Sequence, residues 1–298
     1  MNNLCGFMNV LKPVGCTSHD VVAMVKYAAG GAKTGHTGTL DPAASGVLGI
    51  MIGPATKLAR YLVDLNKRYR AEFTLGLRTD THDSEGKVIS RAPAPDVTVP
   101  QLEGALSSLT GVIEMTPPQH SAVRIGGERA YRLARTGKHA DLKPRSVHVY
   151  SMKLVRYDDG KYPRATIDIE CSKGTYVRSL AQMLGDDLRC GAYMSGLVRQ
   201  AVGRFDIRYA ACLPEIQSSG AGPHLISPKD ALDDMPECEL SGEDLRRAQH
   251  GNAVYCETPL RASQHYKITD GDRLICVAEV MTKDEDTYLQ PRTVLRQG

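Results

Sequence analysis

The chain has 298 residues with 42% apolar side chains, 24% charged side chains and a net charge of +3, which excludes a disordered or collagen-like protein and leaves room for two globular domains. No apolar run approaches the roughly 20 residues needed to cross a bilayer, and no signal peptide precedes the first strand-like segment, so we expect a cytoplasmic protein with no membrane partner. The eight cysteines lack the spacing of a zinc site, so we expect reduced thiols and no metal.

Hydrophobic periodicity predicts strands and helices in irregular succession through the first part of the chain. An apolar strand is predicted at residues 7–11, and a helix follows from Ser18, a preferred N-cap residue, to the pair Gly30-Gly31. Two more strands are predicted at residues 47–52 and 69–77, and two more helices at residues 56–63 and 98–109.

The middle of the chain continues this mixture. Strands are predicted at residues 146–157, 164–171 and 194–202, and a helix at residues 174–188. Since helices and strands do not alternate regularly, we predict an α+β fold with a mixed, mainly antiparallel sheet. The glycine-rich sequences that bind nucleotide phosphates are absent, so we expect no cofactor.

A change of composition divides the chain near residue 235. Residues 214–235 are rich in proline, glycine and serine and predict a connector. Residues 223–298 carry 9 basic and 14 acidic side chains, whereas residues 1–222 carry 28 and 20. Short strand-like runs follow the connector. We therefore predict two domains, at residues 1–235 and 236–298.

Residues 121–150 form the most basic segment, with seven basic and two acidic side chains. A basic segment attracts the phosphate backbone of nucleic acid. A solvated basic surface would have the same composition, so the segment by itself leaves both interpretations open.

Residues 35–46 present a single carboxylate, that of Asp41, in the sequence Gly-His-Thr-Gly-Thr-Leu-Asp-Pro-Ala-Ala-Ser-Gly. This segment is too rich in glycine and too poor in apolar residues to predict a helix or a strand, and Pro42 favours extended backbone at Asp41. Such a loop presents one acid at a defined angle, with little bulk to obstruct a large substrate. Asp-Pro alone is also a common turn signal.

The Asp41 loop resembles the catalytic loop of the TruB family of pseudouridine synthases, and further segments resemble that family's motifs in the family's order. They begin at Asn9, Lys67, Pro117, Gly127 and Cys171 and have the sequences NVLKPVGCTS, KRYRA, PPQHSAVR, GERAY and CSKGTYVRSL. The resemblance implies an enzyme that isomerises uridine to pseudouridine at position 55 in the T loop of tRNA. More weakly, residues 236–298 resemble the small RNA-binding β-barrel of related enzymes, the PUA domain, although their acidic balance departs from what phosphate binding requires.

The resemblance also implies roles for individual residues. Asp41 acts at the ribose, by direct attack on C1′ or by removal of the C2′ proton, Arg178 pairs with Asp41, and Tyr69 stacks on the uracil. An ionised carboxylate taken out of water needs a cation nearby. Arginine is a suitable cation because it can bind a carboxylate with two hydrogen bonds. The residues expected to bind substrate are Lys12, His36, Gln119, His120, Arg124, Tyr131, Tyr176 and Leu197.

The residue types alone leave other interpretations open. Arg178 would also suit a surface helix, Tyr69 a half-buried strand, His36 a turn and Leu197 a core.

Access to the ribose requires that the uridine be flipped out of its stack, at a cost of a few kcal/mol that aromatic stacking of about 1–3 kcal/mol offsets. An alternative function is a tRNA-binding folding chaperone in which catalysis is secondary, because flipping by binding energy needs similar residues. A third is the catalytic subunit of a guide-RNA particle, which the lack of a long basic extension opposes. We expect a monomer whose partner is the T stem-loop of tRNA, with no obligatory protein partner.

Overall fold

The computed structural model describes residues 4–121, 123–137, 140–255, 260, 264–283 and 286–295. The strands of the first half are Gly6–Lys12 (β1), Thr34–His36 (β2), Ser45–Ile52 (β3), Lys67–Leu75 (β4), Leu77–Thr79 (β5), Val88–Arg91 (β6), Gly111–Met115 (β7), Arg124–Ile125 (β8) and Glu128–Arg129 (β9). Those of the second half are Arg145–Asp158 (β10), Arg164–Cys171 (β11), Ala192–Val202 (β12), Phe205–Asp206 (β13), Ala211–Cys212 (β14), Glu237–Glu239 (β15), His265–Asp270 (β16), Arg273–Lys283 (β17) and Asp286–Val294 (β18).

The helices are shorter and lie between the strands. The α-helices are Ser18–Ala28 (α1), Ala59–Leu62 (α2), Val99–Ser108 (α3), Ala130–Arg135 (α4), Val177–Asp187 (α5), Leu213–Ser219 (α6), Pro228–Ala231 (α7) and Gly242–Gln249 (α8). Short 3₁₀ helices occur at Gly53–Leu58, Ile207–Tyr209 and Gly222–His224.

One large sheet organises the N-terminal two thirds of the chain. Its strand order is β14-β1-β3-β12-β4-β11-β10-β7, with β2 added to β3 and β13 to β12. The pairs β1–β14 and β12–β3 are parallel, and the other neighbours are antiparallel. The mixed, mainly antiparallel sheet predicted from the sequence is therefore confirmed.

Helices α3 and α5 cover one face of this sheet. Leu180 and Leu184 recur at helical spacing on α5 and pack with Leu102 of α3 against Phe73 and Ile167 of the sheet. Burying each such side chain contributes about 1.5–3 kcal/mol. This packing fixes the start of α5, where Arg178 lies, against β4, near whose start Tyr69 lies.

The N-cap of helix α1 lies one residue before the N-cap predicted from the sequence. Thr17, and not Ser18, is the N-cap: its side chain accepts a hydrogen bond from the Asp20 backbone N–H, and the Asp20 carboxylate accepts one from the Thr17 N–H. The Ser18 hydroxyl is used elsewhere, because it donates to the Leu40 carbonyl and accepts from the Leu40 N–H. The helix start is thereby tied to the Asp41 loop.

The C-terminal residues form a second, smaller sheet with the strand order β15-β16-β17-β18, against which α8 packs. The β-rich C-terminal unit expected from the sequence is present in this form, and no closed barrel occurs among the residues that the structure describes.

The segment predicted as a connector is folded against the large sheet. Ile226 pairs with Phe7 of β1 through two backbone hydrogen bonds of 2.9 and 2.8 Å. Pro214 and Pro228 occupy the first turns of α6 and α7, where a missing N–H costs nothing. This proline- and serine-rich segment therefore forms short helices, and the prediction of a connector is wrong.

The two sheets share one apolar cluster. Its members come from both ends of the chain and include Phe7, Phe205, Leu274, Val277 and Leu295. Tyr61 adds an edge-on ring contact to His265, with 5.3 Å between the ring centroids. The small sheet is therefore packed against the large one.

Six of the cysteines that the structure describes are free thiols. Cys238 is disulfide-bonded, so the expectation of reduced thiols is wrong at that residue. None of the described helices is long and apolar enough to span a bilayer.

Candidate active site

The Asp41 loop is shorter than the sequence predicted, because strands enter it from both sides. Gly35 and His36 belong to β2, and Ser45 and Gly46 begin β3, which leaves residues 37–44 as the loop. Gly46 adopts a φ of +114°, and a Cβ there would lie 2.2 Å from the Arg199 carbonyl oxygen. The glycine is required because β3 and β12 approach closely at this point.

Two buried cations hold the loop by its carbonyl oxygens. The Nζ of Lys12 donates to Ala44 over 2.7 Å and, more weakly, to Pro42 over 3.4 Å. The Arg199 guanidinium donates to the carbonyls of Gly38, Thr39 and Val47 over 2.8–3.2 Å. Burial lowers the pKa of Lys12. Backbone carbonyls rather than side chains accept these bonds. The two cations therefore fix the backbone path of the loop independently of the position of the Asp41 side chain.

Asp41 is the outer member of a chain of three charged side chains. The Nε of Arg178 lies 3.1 Å from Oδ2 of Asp41, and Nη1 of Arg178 lies 3.4 Å from Oδ2 of Asp83. Arg178 and Asp83 are each 6% exposed, whereas Asp41 is 34% exposed. The cation is therefore covered on one side by Asp83 and presents Asp41 to the solvent on the other.

Further hydrogen bonds fix the inner part of this chain. The Nη2 of Arg178 donates to the His120 carbonyl over 3.0 Å. Asp83 accepts from the hydroxyl of Thr81 and from the backbone N–H of Glu85. Sequence reasoning missed Asp83, because it lies outside every motif that carried the resemblance.

A cavity of about 520 Å³ opens beside Asp41. Six of the predicted site residues line it, namely Asp41, Tyr69, His120, Tyr176, Arg178 and Leu197. Four cationic residues that were not predicted also line it, namely Lys67, Arg145, Lys173 and Arg199. In the described ranges, no three histidine, cysteine, aspartate or glutamate side chains converge in a way that could hold a metal ion.

Tyr69 and Lys67 lie on the same face of β4, two residues apart. Burial raises the pKa of the Tyr69 hydroxyl, and the neighbouring Arg199 opposes that rise. Burial also lowers the pKa of Lys67 to about 8, with the positive charge of Arg199 acting in the same direction. The Lys67 ammonium donates to the carbonyls of Val63 and Leu65, over 2.7 and 2.5 Å.

Tyr176 forms part of the opposite wall. The guanidinium carbon of Arg145 lies 4.9 Å from the centroid of the Tyr176 ring, a cation–π distance. Arg145 also donates to the Gly174 carbonyl, so it braces the turn that precedes α5.

The remaining predicted residues do not line this cavity. Lys12 lies beneath the loop, as described, and His36 ends β2, where its Nδ1 accepts from the Gly38 N–H over 3.2 Å. The Gln119 amide bonds to both backbone groups of Ala140, over 3.0 and 2.9 Å, and so braces the basic segment. The side chains of Arg124 and Tyr131 lie outside the part of the structure that is described.

Sequence relatives identify the family. A family model described as TruB family pseudouridylate synthase (N terminal domain) matches residues 26–177. A relative from Symbiobacterium thermophilum named tRNA pseudouridine synthase B is 47% identical over 248 residues, which cover 83% of this chain and 82% of the relative. The chain belongs to the TruB family of pseudouridylate synthases. A TruB relative of the same name from Moorella thermoacetica is 39% identical and covers 98% of this chain and 99% of its own length, so the similarity includes the C-terminal sheet.

Solved structures share the fold at lower identity. A structure of an H/ACA RNP bound to a substrate RNA containing 2′-deoxyuridine matches with a TM-score of 0.74 at 21% identity, over 98% of this chain and 85% of that one. A crystal structure of a Cbf5-Nop10-Gar1 complex matches with a TM-score of 0.76 at 24% identity and the same coverage. The similarity to these structures shows the fold alone. The TruB relatives establish that the chain is a pseudouridine synthase.

Proposed function

We propose that this pseudouridine synthase acts on uridine 55 in the T loop of tRNA, as a stand-alone cytoplasmic monomer. The observation that carries the proposal is the Asp41 carboxylate on the wall of the cavity, held at 3.1 Å by a covered arginine. The names of the relatives specify tRNA as their substrate.

The proposed reaction is an isomerisation that balances without a co-reactant. The C1′–N1 bond breaks and its electron pair stays on the uracil. Asp41 serves at the ribose, either by attack on C1′, which forms an ester bond that breaks when C5 bonds to C1′, or by removing the C2′ proton, which returns to C2′ at that step. The base turns, C5 bonds to C1′, the C5 proton is lost and N1 gains a proton. Tyr69 stacks on the base and Arg178 keeps Asp41 in position.

The residues expected to bind substrate divide into two groups in this proposal. His120, Tyr176 and Leu197 contact the flipped nucleotide, because they line the cavity. Lys12 and Gln119 act indirectly, since their polar atoms are bonded to backbone groups. His36, Arg124 and Tyr131 contact neighbouring nucleotides of the loop.

We further propose that residues 1–235 form the catalytic domain and residues 236–298 a PUA-like domain. The support for this division is the separate strand order of the small sheet. The apolar cluster between the sheets holds the small one at a fixed position beside the catalytic part.

Mapping pseudouridine in an unmodified T stem-loop and in whole tRNA tests the proposal. The wild-type chain alone should convert one uridine, and Asp41→Asn should convert none. Asp168→Asn is a matched control, because Asp168 is an exposed carboxylate that pairs with Arg70 away from the cavity. Conversion at a different uridine, or activity retained in Asp41→Asn, would refute the proposal. RNA folding activity that survives in Asp41→Asn would support the chaperone alternative.

A further inference from the structure

The cavity contains more buried positive charge than its carboxylates balance. Arg178 has two acidic partners, Asp41 and Asp83. Lys67 and Arg199 also line the cavity, and among the described residues neither has a carboxylate oxygen within 4 Å. Charge buried without a counter-ion is costly, so an anion is expected to enter when the site is occupied.

Lys67 and Arg199 are adjacent and both are covered. Arg199 is 2% exposed and Lys67 is 9% exposed. Arg199 is the cross-strand partner of Tyr69 on the neighbouring strand β12, and Lys67 lies two residues before Tyr69. The two cations therefore flank the tyrosine that is proposed to stack on the uracil.

Both cations have N–H groups left over for a ligand. An ammonium has three N–H groups and a guanidinium has five. The contacts of Lys67 with Val63 and Leu65 use two, and the contacts of Arg199 with two loop carbonyls and with Val47 of β3 use three.

Two anionic parts of the substrate compete for this position, the phosphates and the uracil. Lys173 stands at the rim, 59% exposed and paired with Asp64, where a solvated phosphate can be bound. Lys67 and Arg199 lie deep beside Tyr69, where the base is expected. Positive charge in a dry, preorganised site acts most strongly on charge that develops during the reaction, and the uracil becomes an anion only when the glycosidic bond breaks.

We infer that Lys67 and Arg199 stabilise the uracil anion released when the C1′–N1 bond breaks, an inference that rests on the proposed function. The electron pair of the broken bond spreads over the ring nitrogen and carbonyl oxygens of the uracil. Lys67 keeps its proton and donates a hydrogen bond to this anion, so the step transfers no proton through Lys67. When C5 bonds to C1′, the negative charge disappears and the contact weakens.

In this role Lys67 must be protonated, so the reaction rate depends on its pKa, which burial lowers to about 8. The groups that act on it are Arg199 and Lys173, which favour loss of the proton, and Cys171 and Asp64, which oppose it. Above that pH the ammonium is lost, so the wild-type rate at saturating enzyme should fall between pH 8 and pH 9.5.

The test measures single-turnover rates and RNA dissociation constants for the full chain on tRNA. Lys67→Met should reduce the saturating rate by about 100-fold and change the dissociation constant by less than about threefold. Lys67→Arg keeps the charge at every accessible pH, so its fall in rate above pH 8 should disappear. Lys26→Met is the matched control, because Lys26 is exposed on α1, and it should behave as wild type.

Each contrary outcome has a separate meaning. A Lys67→Met variant with weakened binding but a wild-type saturating rate would assign Lys67 to a phosphate and overturn the inference. A wild-type rate that stays constant from pH 7 to pH 9.5 would overturn it even if Lys67→Met fails to fold. A wild-type chain that forms no pseudouridine would refute the proposed function as well.

Discussion

The Nε of Arg178 lies 3.1 Å from Oδ2 of Asp41, and the arginine is 6% exposed whereas the aspartate is 34% exposed. The partly exposed acid is thus oriented by a cation that solvent barely reaches. Because solvent screens the cation little, the interaction is stronger than that of an ordinary surface ion pair.

Arg178→Ala should reduce the single-turnover rate by about 100- to 1,000-fold while RNA still binds, because Asp41 loses its orienting partner. Arg178→Lys should restore little, since one ammonium cannot replace the fork that reaches both Asp41 and Asp83. Rates and filter binding measure the two effects separately. Arg70→Ala, which removes an exposed pair with Asp168, should retain its rate. A normal rate in Arg178→Ala would contradict the proposed role of the ion pair.

Asp83→Asn should also slow the reaction, although Asp83 does not reach the cavity. The substitution keeps the shape but removes the charge that covers the inner side of Arg178, so Arg178 is free to shift away from Asp41. We expect a loss in rate without a matching loss in RNA affinity. Asp158→Asn alters an exposed pair with Arg156 and serves as the control. Equal rates for the two variants would show that Asp83 has no part in positioning Arg178.

Two glycines provide a matched pair for the close approach of β3 to β12. Gly46→Ala places a methyl group 2.2 Å from the Arg199 carbonyl oxygen at a φ of +114°, so it should cost about 1–3 kcal/mol of unfolding free energy and reduce activity. Gly104→Ala lies inside α3, where a Cβ meets nothing within 4 Å, and should stabilise by about 0.5–1 kcal/mol. Urea unfolding and single-turnover rates measure both. A Gly46→Ala variant as stable as wild type would disprove the close approach.

The buried charge of Lys67 should make stability rise with pH. Its pKa is about 8 in the folded protein and 10.5 ordinarily, so between these values the unfolded chain holds a proton that the folded chain has released. Lys67 therefore contributes a rise in unfolding free energy with pH in that window, of up to about 1.4 kcal/mol per pH unit, whereas the raised thiol pKa values of Cys171 and Cys276 oppose this rise above about pH 9. Lys67→Met should remove part of this increase, as measured by urea unfolding at pH 7.5 and pH 9.

Two comparisons make the pH experiment specific to Lys67. Lys12, whose pKa burial also lowers, should supply the increase that remains in Lys67→Met. Lys26→Met should show the full wild-type increase, since Lys26 is exposed. An unchanged increase in Lys67→Met would mean that the lysine is not protonated differently in the folded and unfolded states.

Most strands of the large sheet were predicted correctly from the local sequence, because strand periodicity depends on neighbouring residues. The strand predicted at residues 69–77 occurs at Lys67–Leu75, and the strands predicted at residues 146–157 and 164–171 occur at Arg145–Asp158 and Arg164–Cys171. The prediction that residues 214–235 are a connector was wrong because their contacts are with β1, at the far end of the sequence.

The residues of the candidate site were likewise predicted only in part. Asp41, Tyr69 and Arg178 were found through motif resemblance, and the structure brings them to one cavity, although their catalytic roles stay a prediction. Arg199 was missed because its partner Val47 lies 152 residues away in the sequence. Lys12 was expected to bind substrate, and its contacts with loop carbonyls could only be known from the fold.

The shared apolar cluster has a consequence for how the protein is made. Phe7 leaves the ribosome first, but the cluster that buries it also needs Leu274, Val277 and Leu295. That surface stays uncovered until these three residues have been translated, and until then the nascent chain offers it to chaperones or to other unfinished chains. A truncation before Leu274 would therefore expose apolar surface on β1, which is synthesised much earlier.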